Sequence, residues 1–323
     1  MPTAEQAQAR LADIPGLALS VRVPLSRYTR FAIGGVADLY AETTSENAFV
    51  AARAAARETA IAVAVIGDGT NLIVSDDGFR GLVLRYRAGR IRSEGNRVSV
   101  DAGASLEALV DFTLQRGLAG VETLAGIPGS VGGAVYGNAG AYGHSISERI
   151  ASVRLFDGGQ VRTLAGRECR FQYRESLFKS HKEWTIFSAE LRLDPADPAA
   201  LRRTAAGIVE TRSRKFPSTL KCAGSIFKNL LIEDLPAGLA SQVPASAVRE
   251  GKVPAAWFLE QVGAKGAHRG AIRVAEYHAN LIYNAGGGTA ADLRALIGEL
   301  QARVRERFAL ELEEEVQYMG RFG

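Results

Sequence analysis

Short apolar runs separated by glycine-bearing turns mark out most of this chain. Ala37-Asp38-Leu39-Tyr40-Ala41 alternates with the period of a strand, and a helix is expected over 46–58, capped by Thr44 or Ser45. The apolar run 61–66 reads as a buried strand that enters the turn Gly67-Asp68-Gly69-Thr70-Asn71 and leaves through Leu72-Ile73-Val74. Further strands are expected at 82–86 and 98–102. A helix over 106–116 follows, with Ser105 as its N-cap and Gly117 as its stop. Asp157-Gly158-Gly159 joins 152–156 to 161–164 as a hairpin, and 185–193 is a further strand.

The stretch Asp194-Pro195-Ala196-Asp197-Pro198 reads as a domain boundary. Beyond it the pattern predicts helices over 199–212, 255–261 and 290–308, a strand near 281–283 and a terminal strand over 313–319. Strands and helices are mixed without a regular βαβ alternation, which argues for an α+β fold. Residues 1–16 carry acids and lack a basic stretch followed by an apolar one, so no secretory signal is expected. The longest apolar run, 60–66, is far too short to span a bilayer.

Composition narrows the chemistry. A net charge of +4 and a pI near 9.1 come without any Lys/Arg stripe, which excludes a nucleic-acid binder but suits anionic small molecules. Only Cys169 and Cys222 occur, and four scattered histidines offer no metal spacing, so no metal site is expected. A reduced, cytoplasmic protein fits this best.

Two glycine-rich segments are candidates for holding a phosphate-bearing cofactor. The turn 67–71 can present successive N–H groups to an anion, although a plain hairpin turn explains it equally well. Gly126-Ile127-Pro128-Gly129-Ser130-Val131-Gly132-Gly133 has too many glycines for one turn and permits close main-chain approach to a ligand. Asn138-Ala139-Gly140-Ala141-Tyr142-Gly143 continues the theme. Neither segment fits the Rossmann fingerprint or a P-loop.

Three other features could carry chemistry. Arg174, in Tyr173-Arg174-Glu175-Ser176, is suited to a substrate carboxylate, though a surface salt bridge is the simpler account. Ser225, in Ala223-Gly224-Ser225-Ile226-Phe227-Lys228-Asn229, lacks a nucleophile elbow, and a helix cap is the more common role for such a serine. Glu313-Glu314-Glu315 would ordinarily be a solvated acidic face, but on a strand one of the three can point inward.

Taken in order along the chain, these segments resemble the UDP-N-acetylenolpyruvoylglucosamine reductases of bacterial cell-wall synthesis. Thr29-Arg30-Phe31-Ala32-Ile33-Gly34-Gly35, Glu260-Gln261-Val262-Gly263-Ala264-Lys265-Gly266 and His278-Ala279-Asn280 complete the set, which extends from about residue 26 to 320. The resemblance implies an α+β FAD-binding fold of the vanillyl-alcohol-oxidase type. Its two subdomains would be 1–78, joined by a terminal strand within 311–323, and 79–195; a substrate-binding domain would occupy 196–310.

Carried over, Gly67, Asp68, Gly69, Thr70, Asn71 and Leu72, with Gly126, Ile127, Pro128, Gly129, Ser130, Gly132 and Gly133, would hold FAD. Ser225, Arg174 and Glu315 would be catalytic. Tyr173, Lys215, Asn229 and Lys265 would meet the UDP-sugar substrate. The implied reaction takes hydride from NADPH through FAD to the enolpyruvyl group. Arg174 would stabilise charge on the carboxylate and Ser225 would protonate the carbanion, while Glu315 would either donate a hydrogen bond to the carboxylate or orient Arg174.

Leu230 and Gln317 depart from the family pattern, which has proline and arginine there in many relatives. Thr70 and Asn71 stand where covalently flavinylated relatives carry histidine, so non-covalent FAD is expected. Little room exists between Ser176 and Gly224 for the tyrosine-bearing insertion of one subtype. An FAD-dependent oxidase of a small hydroxy acid or sugar, or a non-catalytic nucleotide-binding relative, would share the glycine-rich loops without requiring Ser225 and Glu315.

Overall fold

Strand Val36–Thr43 lies parallel to Phe79–Tyr86, which pairs in parallel with Val63–Ile66 on its other side. Ala18–Pro24 completes this four-stranded sheet. Helix Glu46–Glu58 packs with Phe49, Ala52 and Ala56 buried, and its N-cap is Ser45, whose Oγ accepts from the N–H of Ala48 at 3.3 Å. The computed structural model describes residues 4–322, and packing divides the chain into two units that ignore sequence order. The first unit gathers residues up to 23, 37–68 and 79–214; the second gathers 24–36, 69–78 and the chain from 215 onward.

The first unit also holds a five-stranded antiparallel sheet, ordered Val161–Ala165, Ile150–Phe156, Thr185–Arg192, Arg97–Asp101, Ile91–Glu94. Both sheets feed one core. Phe49 meets Phe187 and Tyr86 edge-on, with ring centroids 5.4 and 6.1 Å apart, so the helix of the first sheet touches residues of both. Helix Leu106–Gln115 begins at its Ser105 cap, as expected.

In the second unit, His268–Arg269, Ile272–Ala275 and His278–Asn284 form an antiparallel sheet beside helices Ala255–Gln261 and Ala290–Phe308. The long helix buries Leu293, Leu296, Ile297, Leu300 and Val304, one face at helical spacing. Its N-terminus receives two caps. Thr289 Oγ1 accepts from Asp292 N–H at 3.0 Å, and the Asp76 carboxylate accepts from Ala290 and Ala291 N–H at 2.8 and 2.9 Å. Strand Leu72–Val74 pairs in parallel with Gln317–Met319.

Three expectations are corrected. Residues 4–24 carry a helix, Ala4–Ala12, and a strand, Ala18–Pro24, where the sequence pattern marked no element. The terminal strand is Gln317–Met319; residues 313–316 have one bridging residue, Glu314, because their partner segment is itself irregular. The segment 126–133 is not loop throughout, since helix Val131–Tyr136 begins inside it behind the Ser130 N-cap. Among the described residues no helix is long and apolar enough to cross a membrane, and no acid, histidine and cysteine cluster could hold a metal.

Candidate active site

The turn 67–71 is not a hairpin turn. The strand before it, Val63–Ile66, pairs with Phe79–Tyr86, and the strand after it pairs with Gln317–Met319. Between Asp68 and Gly69 the chain passes from the first unit to the second. A Cβ on Gly67 would lie 2.7 Å from the Ser130 Oγ, so the two glycine-rich segments meet there with no room for a side chain. Gly69 sits at φ +63°, where a Cβ would run into the Tyr28 carbonyl. Asp68 is ion-paired with Arg85, whose guanidinium stays charged despite burial because Tyr40 and Asp68 bond it. Thr70 and Leu72 are half-buried.

The second glycine-rich segment is laced to 102–106. Gly129 carbonyl accepts from Leu106 N–H, and Gly132 N–H donates to Ala102 carbonyl, each at 2.8 Å. Ser130 is buried and its Oγ accepts from Gly133 N–H at 3.2 Å. Ile127 packs half-buried on the core, and Gly126 and Pro128 face outward, Gly126 beside Arg212. These main-chain surfaces suit a diphosphate-bearing cofactor. In the second unit, Asn71 Oδ1 is buried with no hydrogen-bond partner among the described residues, an acceptor available to a ligand.

Arg174 belongs to the first unit. It sits at φ +57°, and its guanidinium donates to the carbonyls of Gly140 (2.7 Å) and Asn138 (3.5 Å). The Tyr173 ring lies 5.3 Å from its charge, and Lys179 Nζ donates to its carbonyl at 2.5 Å. Asn138, itself buried, ties the two segments by donating to Gln172 carbonyl at 2.7 Å.

Ser225 and Glu315 come together in the second unit. No helix follows Ser225, so it is no cap; it bridges Leu281 instead. The next residue, Ile226, accepts Glu315 N–H at 2.7 Å. The three glutamates separate cleanly. Glu313 is exposed and ion-paired with buried Lys228, and Glu314 takes the Tyr318 hydroxyl. Glu315 is half-buried, its carbonyl held by Asn71 Nδ2 at 2.9 Å.

The expected substrate residues also lie in the second unit, Tyr173 excepted. Lys215 is exposed, 5.2 Å above the Phe216 ring, and its carbonyl accepts the Tyr277 hydroxyl at 3.3 Å. Lys265 pairs with Glu260 at 2.9 Å, and Asn229 Oδ1 accepts from Ala255 N–H at 3.3 Å. Sequence reasoning gave no role to His278. Burial first, then the positive charges of Lys215 and Lys265, lower its pKa to about 4, which places two lysines and an imidazole in one electropositive neighbourhood. The signal was present in His278-Ala279-Asn280, matched as a motif but assigned no chemistry.

A family model described as an FAD binding domain matches residues 37–164, and one described as the UDP-N-acetylenolpyruvoylglucosamine reductase C-terminal domain matches 216–319. A UDP-N-acetylenolpyruvoylglucosamine reductase of Solibacter usitatus is 65% identical over 96% of this chain and 100% of its own length. One from Rubrobacter xylanophilus is 38% identical, covering 92% of this chain and 94% of its own length. The crystal structure of a UDP-N-acetylenolpyruvylglucosamine reductase from Thermus caldophilus superposes with a TM-score of 0.73 at 27% identity, over 94% of this chain and 100% of that one.

Proposed function

The chain belongs to the UDP-N-acetylenolpyruvoylglucosamine reductase family, and from that premise we propose that it reduces the enolpyruvyl group of UDP-N-acetylglucosamine enolpyruvate to give UDP-N-acetylmuramate, a cytoplasmic step of peptidoglycan precursor synthesis. FAD, when bound, supplies the chemistry that carries hydride from NADPH to the double bond. Residues 67–72 and 126–133 fit it by their close main-chain approach and by the buried acceptor on Asn71.

The remaining work falls to side chains. Ser225 holds the proton delivered to the carbon beside the substrate carboxylate; a weak acid suffices because the carbanion is strongly basic. Arg174, fixed by two carbonyls, presents a cation to the negative charge that develops there. Glu315 completes the set. Lys215 and Lys265 meet the diphosphate, and the electropositive setting of His278 supports that role. Asn229 and Tyr173 line the same substrate. The observation that carries the assignment of Ser225 and Glu315 is the 2.7 Å bond from Glu315 N–H to Ile226 carbonyl, which sets the two on adjoining segments.

The purified protein is expected to be yellow and to release its flavin on denaturation, and its NADPH oxidation is expected to depend on the enolpyruvyl sugar nucleotide. Colourless protein that FAD does not reconstitute would overturn the reading. Ser225→Ala is expected to leave flavin reduction by NADPH nearly intact and to slow reoxidation by substrate by about 10²-fold or more. Equal loss in both half-reactions would assign Ser225 a structural role.

A further inference from the structure

The segment 225–228 runs beside strand His278–Asn284, but only partly through main-chain bonds. Ser225 and Leu281 form one antiparallel bridge, and Ile226 N–H reaches the Asn280 carbonyl at 3.2 Å. The Asn280 side chain then takes over. Its Oδ1 accepts from the N–H groups of Ile226 at 3.1 Å and Phe227 at 2.9 Å, and its Nδ2 donates to the Phe227 carbonyl at 2.9 Å. One carboxamide, 2% exposed, therefore satisfies three main-chain groups of the two residues that follow Ser225.

The other edge of the same segment carries 313–315. Glu315 N–H donates to Ile226 carbonyl at 2.7 Å, Lys228 N–H donates to Glu313 carbonyl at 2.9 Å, and Phe227 bridges Glu314. Ile226 thus receives Asn280 on one side and Glu315 on the other. Ahead of Ser225 stands Gly224 at φ +85°, the residue type with the widest main-chain freedom, so restraint on the serine comes from the residues behind it. We infer that Asn280 is a positioning residue, which fixes Ser225 and, through Ile226, the main chain of Glu315 in reacting geometry. The inference rests on the reading of Ser225 as proton donor.

The side-chain chemistry is selective. The carboxamide accepts twice through Oδ1 and donates once through Nδ2, which no ionised or apolar side chain of this reach does. Aspartate keeps both acceptor bonds but brings a buried carboxylate and leaves the Phe227 carbonyl without its donor. Leucine, of similar size, leaves both the Phe227 N–H and carbonyl unpaired.

The test compares Asn280→Leu with the parent in rapid-mixing experiments on the FAD-loaded enzyme, together with FAD affinity by flavin fluorescence. Reoxidation by the enolpyruvyl substrate is expected to slow by about tenfold to a hundredfold. FAD affinity and reduction by NADPH are expected to stay within about twofold, since the Asn280 carboxamide bonds the main chain of Ile226 and Phe227. The solvent deuterium isotope effect on reoxidation is expected to rise, as proton delivery becomes slower. In a Ser225→Ala background, Asn280→Leu is expected to add far less than it costs the parent, only the part that runs through Ile226 to Glu315 remaining. Should the leucine variant fail to fold, Asn280→Asp serves the same comparison, with a smaller loss expected. Multiplicative losses in the double variant, or equal losses in both half-reactions, overturn the inference. A Ser225→Ala enzyme that reoxidises normally overturns the proton-donor reading itself, and is seen without any Asn280 variant.

Discussion

The imidazole of His278 is half-buried, its ring 6.0 Å from that of Phe216. Burial first, and then Lys215 and Lys265, bring its pKa from 6.5 down to about 4. Between those values the unfolded chain binds more protons than the folded protein, so stability rises with pH there. The contribution is complete above pH 6.5 and is lost as the pH falls towards about 4; it amounts to at most about 3 kcal/mol. His278→Gln is expected to flatten that part of the acid limb in urea melts taken from pH 7 to 4. An unchanged slope would mean that the imidazole is not neutral in the folded state. Residue type alone announces little of this. Three adjacent glutamates meet an ion pair, a tyrosine hydroxyl and a half-buried setting, and only the pairing of 313–315 with 226–228 tells them apart. Arg174 was found through the company it keeps in sequence, yet its two carbonyl partners lie more than thirty residues upstream, beyond any local pattern.

Elements with strong local signals were legible. Ser45, Ser105 and Thr289 cap helices at their expected starts, because a cap acts within three residues. Helices 255–261 and 290–308 fall where the apolar period placed them. What escaped was decided by distant partners. Ala18–Pro24 has an exposed pattern and is a strand only because Val36–Thr43 lies beside it. Helix Val131–Tyr136 survives two glycines because Ser130 caps it and 102–106 brace its start. The close fit of Gly67 against Ser130 makes a further expectation testable at this scale. Gly67→Ala is expected to weaken FAD binding about tenfold or more, roughly 1.4 kcal/mol, by fluorescence titration. Adding Ser130→Ala removes the clashing Oγ and is expected to restore part of the affinity; no recovery would locate the defect elsewhere.

At the scale of the whole molecule, chain order and packing part company. The second unit takes in 24–36 and 69–78 along with everything from 215 onward, an arrangement no hydropathy pattern announces, since it depends on which remote strands pair. Leu312, Val316 and Met319 are buried in that unit, and Gln317–Met319 is the partner of Leu72–Val74. A chain stopped after Leu310 is therefore expected to lose amide-exchange protection in Leu72–Val74 and in helix Ala290–Phe308. Strands Ile150–Phe156 and Thr185–Arg192 are expected to keep theirs. Protection retained in Leu72–Val74 would show that its parallel pairing is dispensable.

That pairing also has a consequence for how the protein is made. Leu72–Val74 leaves the ribosome roughly 240 residues ahead of Gln317–Met319. At about 5–20 residues per second, its edge waits on the order of 10–50 s without a partner. The second unit, with Glu315 just before Gln317–Met319, is thus finished only after that late strand has been made. Nascent-chain chaperones have a clear substrate here, and their depletion should cost the second unit before the first.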